Sequence, residues 1–418
     1  MIKLFTDSNA GKNKFMEEKE MKKLVALFMC LVMCLSVVSF AGCGNADEGD
    51  GAIKIGAIYI NSKDDTSGYT YAHHNGITTA MKNLGIPADN LYIIDNVPED
   101  DTEVTNAIDT LAGKGCNIIF GISFGYISAM EAAAQKEEYK DIIFSHATGY
   151  LSNDTNFNNY FGRIYQARYL AGIAAGLKSL KLGNNNIGYV AAWGTEYAET
   201  CSGINAFALG AQAVNPNAEV HVKVISTWGD EAKEKQAAQL LVDTYNCCVI
   251  AQHCDSAQPQ MVAEGAANVF GCGYNSDMTA QAPTSHLTAP VWNWYVYYQL
   301  AIETAMNKPA EFMSVVGNYY GGLKENFVDV SPLTANCEAG TAEMIKLARD
   351  LMVSGEWDVF SGVKLSFTES NGTYSVTKTN ADLKDNAGNV IVAAGGASVA
   401  DGVIQGSMNY YVEGVKAE

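Results

Sequence analysis

From residue 53 onward the chain alternates short apolar runs with longer stretches whose apolar residues recur at helical spacing, and it does so in two rounds. The first round predicts strands over 53–60, 91–97, 116–121 and 142–146, with helices over 71–84, 99–112 and 126–138 between them. The second predicts helices over 166–179, 198–214 and 231–244, with strands over 187–192, 220–227, 249–253 and 269–273. Strand, helix and next strand close by a right-handed crossover, so each round builds a parallel sheet flanked by helices. Two rounds of similar size predict an α/β protein of two similar lobes. Helical patterns over 292–306 and 341–353 are placed to cross back between them. The Gly-, Asn- and Thr-rich tail after Glu356 carries short alternating runs and reads as antiparallel hairpin.

Residues 21–43 say where such a body works. Lys22 and Lys23 precede an apolar run over 24–38, and Ala41-Gly42 lie directly before Cys43. Basic start, apolar core and small-residue end make a secretory signal, and cleavage before a cysteine suggests a lipoprotein box with Cys43 diacylated. The run approaches the length of a membrane span, but its short core and small-residue end favour a cleaved signal over an anchor. Residues 1–20 are polar and read as a leader or an over-extended start. The small, acidic stretch over 43–51 reads as a flexible tether. The expected division is therefore 1–42 leader and signal, 43–51 tether, 52–163 plus about 285–320 one lobe, and 164–284 plus about 321–418 the other.

Charge excludes one class of partner. Residues 43–418 hold 21 basic and 42 acidic side chains, a surface that repels nucleic acid. Apolar content of 48% and 22 tyrosines exclude a disordered chain. Beyond Cys43 the cysteines are Cys116, Cys201, Cys247, Cys248, Cys254, Cys272 and Cys337, an odd number that does not read as a disulfide framework. Several lie in apolar strand-like runs, as buried free thiols do. No C-x-x-C or H-x-x-x-H spacing supports a metal site, and no cofactor is expected.

Ligands of open α/β sheets bind beyond the carboxyl ends of the strands. Here those ends read Asp64-Asp65-Thr66-Ser67-Gly68-Tyr69-Thr70-Tyr71, Ser123-Phe124-Gly125-Tyr126, His146-Ala147-Thr148-Gly149-Tyr150, Trp193-Gly194-Thr195-Glu196, Thr227-Trp228-Gly229-Asp230, His253-Cys254-Asp255-Ser256 and Gly273-Tyr274-Asn275-Ser276-Asp277. Rings stack on a planar heterocycle, while carboxylates and amides take up its N–H groups and any sugar hydroxyls. The predicted ligand is a small, neutral or weakly basic molecule that contains a ring. Candidate contacts are Asp65, Tyr69, Tyr71, Phe124, Trp193, Trp228, Asp255, Asn275 and Asp277.

Several of these strings, with Tyr71-Ala72-His73-His74-Asn75-Gly76, Arg163-Ile164-Tyr165-Gln166-Ala167-Arg168 and Pro290-Val291-Trp292-Asn293-Trp294, resemble the basic membrane protein family of substrate-binding lipoproteins. That family includes purine nucleoside receptors of ABC importers. The resemblance implies a type I periplasmic-binding-protein fold, two Rossmann-like lobes with a hinge and a cleft, a purine-type ligand, an ABC permease as partner and no catalysis. It places Asp65 at an early acidic position, Tyr69 at a base-stacking position and Asp277 at the position that serves ribose hydroxyls. Two departures, Thr66-Ser67-Gly68-Tyr69-Thr70 and Asp277-Met278, extend the expectation from nucleosides to free bases.

Other readings compete. Asp255 and Asp277 suit helix N-caps, Trp292 and Trp294 suit a hinge or core, and His146 and His253 suit satisfied structural positions. A nucleoside-processing enzyme would want a nucleophile with its base or a paired-carboxylate motif, and neither is legible. A ligand-sensing receptor for a membrane signalling partner would use the same fold and pocket. The expected molecule is a monomeric, lipid-anchored importer receptor on the extracytoplasmic face of the membrane.

Overall fold

The computed structural model describes residues 52–418, so the signal, Cys43 and the tether lie outside the described residues. The strand Ile55–Tyr59 is buried along its whole length, as is Ile118–Ile122 beside it. Continuous apolar burial is what a parallel strand covered on both faces requires. Across the first sheet the order is Tyr319–Gly321, Phe157–Gly162, Ile143–Ala147, Ile118–Ile122, Ile55–Tyr59, Leu91–Ile94, with every pairing parallel. The second sheet runs His286–Thr288, Phe270–Cys272, Val249–His253, Asn186–Ala191, Glu219–Val224, Val415–Ala417, again all parallel. Each sheet is one repeat of the same winding plus one strand added late at an edge. The additions, Tyr319–Gly321 and Val415–Ala417, sit at opposite ends of the repeat.

The chain passes between the lobes at three places. It leaves the first sheet after Gly162 into the helix Ile164–Leu182. It returns after Thr288 to the helix Trp294–Asn307, which packs on Gly68–Leu84. It leaves again after Gly321 for the helix Thr341–Ser354, which packs on Ile164–Leu182. The second and third passages run side by side, because Pro290–Trp292 pairs antiparallel with Val328–Val330. Trp292 stacks on Trp294 at 4.5 Å between ring centroids, and Trp294 stacks on His73 at 3.9 Å. Gly76 permits this approach, since a Cβ there would lie 2.5 Å from the Trp294 Cβ.

Three features differ from the expected elements. The strand Phe157–Gly162 has no apolar pattern to announce it. Asn158 is buried in it and is satisfied by the Tyr297 hydroxyl at 2.9 Å and the Gly317 carbonyl at 2.6 Å, so a polar residue fills a core position. The helix expected over 126–138 is shorter, Ile127–Ala134, because Lys136 turns to extended backbone at ψ 130°. The strand His286–Thr288 belongs to the second sheet, whereas the expected division gives about 285–320 to the first lobe; the passage back begins only at Ala289. The tail does form a hairpin, Val363–Ser370 with Thr373–Asn380. Its two-residue turn, Asn371-Gly372, has positive φ at both positions, as a type I′ turn demands. All seven cysteines among the described residues are unpaired, and six are buried. Burial pushes the Cys116 and Cys248 thiols up to about 11.

Candidate functional site

A sheet wound in this order opens a crevice where the winding reverses, between its first and third strands in chain order. In the first lobe that point lies between Ile55–Tyr59 and Ile118–Ile122, and in the second between Asn186–Ala191 and Val249–His253. Residues following both pairs of strands line one shared cavity of about 850 Å3. Asn61 and Phe124 come from the first lobe, Glu196, Trp228 and Asp255 from the second.

The lobes touch at its edge. Gly68 opens the helix Gly68–Leu84 at φ +84°, and a Cβ on it would lie 2.4 Å from the Asp255 carbonyl oxygen. The Gly68 N–H also donates to Ser276 Oγ at 3.3 Å. Glycine is required twice over here, by the left-handed backbone and by the close approach.

Eight aromatic side chains line the cavity. Tyr69 follows Gly68 and packs edge-on against His73 at 4.3 Å. Its hydroxyl is buried and has no hydrogen-bond partner among the described residues. Phe124 meets Tyr197 of the other lobe at 6.4 Å, so the two lobes bring rings together across the cleft. Tyr150, 68% exposed, stands beside Phe124 at the rim. Trp228 lies 6.0 Å from Tyr197, and Trp193 packs on the same tyrosine at 4.9 Å. On another side Tyr274 lies under the Arg168 guanidinium, 3.8 Å from its ring centre, and receives the Trp292 indole N–H at 3.4 Å.

The acids on the wall are Glu99, Glu196, Glu199 and Asp255, and among the described residues no Lys, Arg or His lines the cavity. Glu99 is held by Ser123 Oγ at 2.5 Å and the Gly125 N–H at 2.8 Å. Glu199 reaches His253 Nε2 at 2.9 Å. Burial lowers the His253 pKa, and the nearby Arg168 cation lowers it further against the pull of Glu199. Asp255 receives the Asn275 side-chain N–H at 3.4 Å, and its own N–H donates to the Trp228 carbonyl. Burial, with Glu234, Glu199 and Asp65 close by, pushes its carboxyl up to about 8. It is therefore a proton-holding group near neutral pH and can donate as well as accept.

Of the candidates named from sequence, Tyr69, Phe124, Trp228 and Asp255 line the cavity. Asn275 and Trp193 stand one layer behind, under Asp255 and Tyr197 respectively. Asp65 is off the wall, and its charge reaches Asp255 from the loop after the first strand. Burial, then Asp95 and Asp64, raise its own pKa. Tyr71 is off the wall as well, since two residues along a helix turn a side chain away from Tyr69. Asp277 is also off the wall. It accepts from the Thr279 N–H at 2.9 Å and its hydroxyl at 2.6 Å, in a turn that no helix follows, so it is not the helix N-cap that its position suggested. Glu99, Tyr197 and Glu199 were not singled out from sequence. Glu99 begins a predicted helix, where an acidic residue passes as an ordinary first-turn charge. The tail contributes Gly402, Gln405 and Gly406, far from any strand end that marks the crevice.

Two parallel α/β lobes, wound alike and enclosing a ring-lined cavity between their strand ends, define a type I periplasmic-binding-protein fold. The model of the Bmp family, described as ABC transporter substrate-binding protein PnrA-like, matches residues 52–355, and the chain belongs to that family. It is 32% identical over 330 residues to a purine-binding protein of Brucella abortus, covering 79% of this chain and 89% of that one. It is 30% identical over 329 residues to a Haloferax volcanii protein provisionally named ABC transporter glucose-binding protein TsgA13, covering 76% of each. Among solved structures, an ABC transporter solute-binding protein of Aeropyrum pernix matches the fold with a TM-score of 0.60 at 14% identity, over 76% of this chain and 94% of that one.

Proposed function

We propose that this protein binds a purine nucleoside or nucleobase between its lobes and delivers it to an ABC permease, held at the extracytoplasmic face by lipid on Cys43. The observation that carries this reading is the composition of the cavity wall, in which rings from both lobes surround carboxylates and no cation. A flat heterocycle gains stacking from Tyr69, Phe124 or Trp228, and its N–H groups and sugar hydroxyls find Glu99, Glu196, Glu199 and Asp255 as acceptors. An anionic ligand would meet Glu99, Glu196 and Glu199 on the wall with no cation among the described lining residues. The names of the two relatives point to different ligands, purine and glucose. The rings contributed by both lobes offer flat faces that suit a planar heterocycle, and this favours the purine. The role is binding rather than catalysis, in keeping with a family of substrate-binding proteins.

A thermal-shift panel of purine bases, nucleosides, glucose and pentoses on the protein lacking residues 1–43 tests it. A ligand at a hundredfold its Kd adds about 2.7 kcal/mol of stability. A rise in melting midpoint with one or more purines and none with sugars is expected. A rise with glucose and none with any purine would overturn the purine assignment.

A further inference from the structure

The family match ends at residue 355, yet the chain beyond it reaches the cavity: Gly402, Gln405 and Gly406 are part of the wall. They belong to a short helix, Asp401–Gly406, that is fastened from three directions. Ile404 and Met408 are 1% and 0% exposed, which anchors the helix in the core. Past it, Asn205 on the helix Ala198–Val214 donates to the Tyr410 carbonyl at 2.7 Å and accepts from the Val412 N–H at 2.9 Å. At its start, Asp401 takes a two-pronged ion pair from Arg163, Nε to Oδ1 at 3.1 Å and Nη2 to Oδ2 at 2.5 Å. Arg163 is the residue at which the chain first passes between the lobes. Its own N–H donates to the Gly321 carbonyl, and its Nη1 donates to the Tyr320 carbonyl at 2.8 Å, so it also grips the third passage.

Gln405 has a chemistry scarce on this wall. The acidic residues there accept hydrogen bonds when ionised, whereas a carboxamide donates and accepts side by side. Asn61 and Gln405 are the two carboxamides that line the cavity. An amide can pair with a ligand edge that presents a donor next to an acceptor, as the edges of amino- and oxopurines do.

We infer that the C-terminal segment beyond the family's matched region is a selectivity wall of the ligand cavity, with Gln405 reading a donor–acceptor edge of the ligand and the Arg163–Asp401 pair holding the wall at the hinge. The inference rests on the interlobe cavity being the ligand site and, for the edge it reads, on the purine reading. It assigns to residues 401–406 a role that neither the family match nor the relatives assign.

Two measurements on the chain lacking residues 1–43 test it. The first is calorimetric titration of wild type, Gln405→Ala and Gln239→Ala with adenosine, guanosine, inosine and adenine. Loss of one neutral hydrogen bond predicts a Kd about 3–10-fold weaker in Gln405→Ala for at least one purine that wild type binds, with Gln239→Ala unchanged. Affinities within twofold of wild type for every bound purine would overturn the reading role of Gln405. The second needs no ligand: acrylamide quenching of tryptophan fluorescence in wild type and Asp401→Asn, with circular dichroism to verify the fold. Trp228 and Trp292 line the same cavity. A loosened wall predicts stronger quenching in Asp401→Asn, and identical quenching in a folded variant would overturn the wall. If wild type binds none of the four purines, the purine reading and the role of Gln405 in reading a purine edge fall, and the quenching arm still decides the wall.

Discussion

Asp255→Asn isolates the cost of gathering carboxylates around the cavity. The Asp255 carboxyl is pushed from an ordinary 3.8 to about 8 by burial and by Glu234, Glu199 and Asp65. At 1.36 kcal/mol per pH unit that displacement has a ceiling of about 5–6 kcal/mol. The coupling is shared among several acids and the side chain is partly open to the cavity, so about 2–3 kcal/mol is the expected effect. The sign follows from proton counting. Below pH 4 the group is protonated in both folded and unfolded chains, and nothing is lost. Between pH 4 and 8 the unfolded chain releases the proton while the folded one keeps it, so wild-type stability falls as pH rises. Asn does not ionise and retains the acceptor that meets the Asn275 N–H. Urea unfolding of both proteins at pH 4.5, 6 and 8 should show the variant gaining on wild type as pH rises, by about 2–3 kcal/mol at pH 8 relative to pH 4.5. Near neutral pH, where Asp255 holds its proton, the equally neutral amide should leave ligand affinity within about tenfold of wild type. A stability difference that does not change across this range would refute the reasoning, because it would mean that Asp255 ionises as freely in the folded protein as outside it.

Gly68→Ala should hinder closure. Its Cβ would sit 2.4 Å from the Asp255 carbonyl at φ +84°, and the left-handed backbone alone costs an L-residue about 1–2 kcal/mol. Small-angle scattering should show a larger radius in the liganded state, and titration an affinity lowered by about tenfold or more. Tyr69→Ala should cost on the order of 1–3 kcal/mol of ligand binding, the range for removing a stacking aromatic, and unchanged calorimetric affinity would count against stacking there. Cys43→Ser should release the protein from membranes without changing ligand affinity, because the proposed diacyl anchor would supply the attachment and the cavity is lined by residues from Ile60 onward. Fractionation and titration together check it, and a fall in affinity would mean that the anchor does more than tether.

What could be read from sequence follows topology. Phe124, Trp228 and Asp255 each come two to four residues after a parallel strand, and that position places them at the crevice. Asp277 fails the same rule for a local reason. The chain after Phe270–Cys272 has already turned, at Asn275 with φ +66°, so the carboxylate spends itself on the Thr279 turn. Phe157–Gly162 was hidden because its buried Asn158 is satisfied by partners more than a hundred residues away in sequence. Gln405 was hidden for a related reason. Its place on the wall depends on the Arg163–Asp401 pair, and no local periodicity encodes a contact between residues so distant.

The acidic wall and the contact at Gly68 belong to one mechanism. Bringing Gly68 against the Asp255 carbonyl also brings Asp65 near a cluster that already holds Glu199 and Glu234. Closure without a ligand therefore concentrates negative charge around the cavity, and part of the response is the proton that Asp255 retains. A ligand rich in N–H and O–H donors offsets that repulsion only when the lobes are together, because its partners come from both. Differential affinity of this kind is what shifts a two-state equilibrium, and a ligand that met one lobe alone would leave it where it was. The repulsion that weakens the empty closed form is thus the same feature that makes closure depend on the ligand.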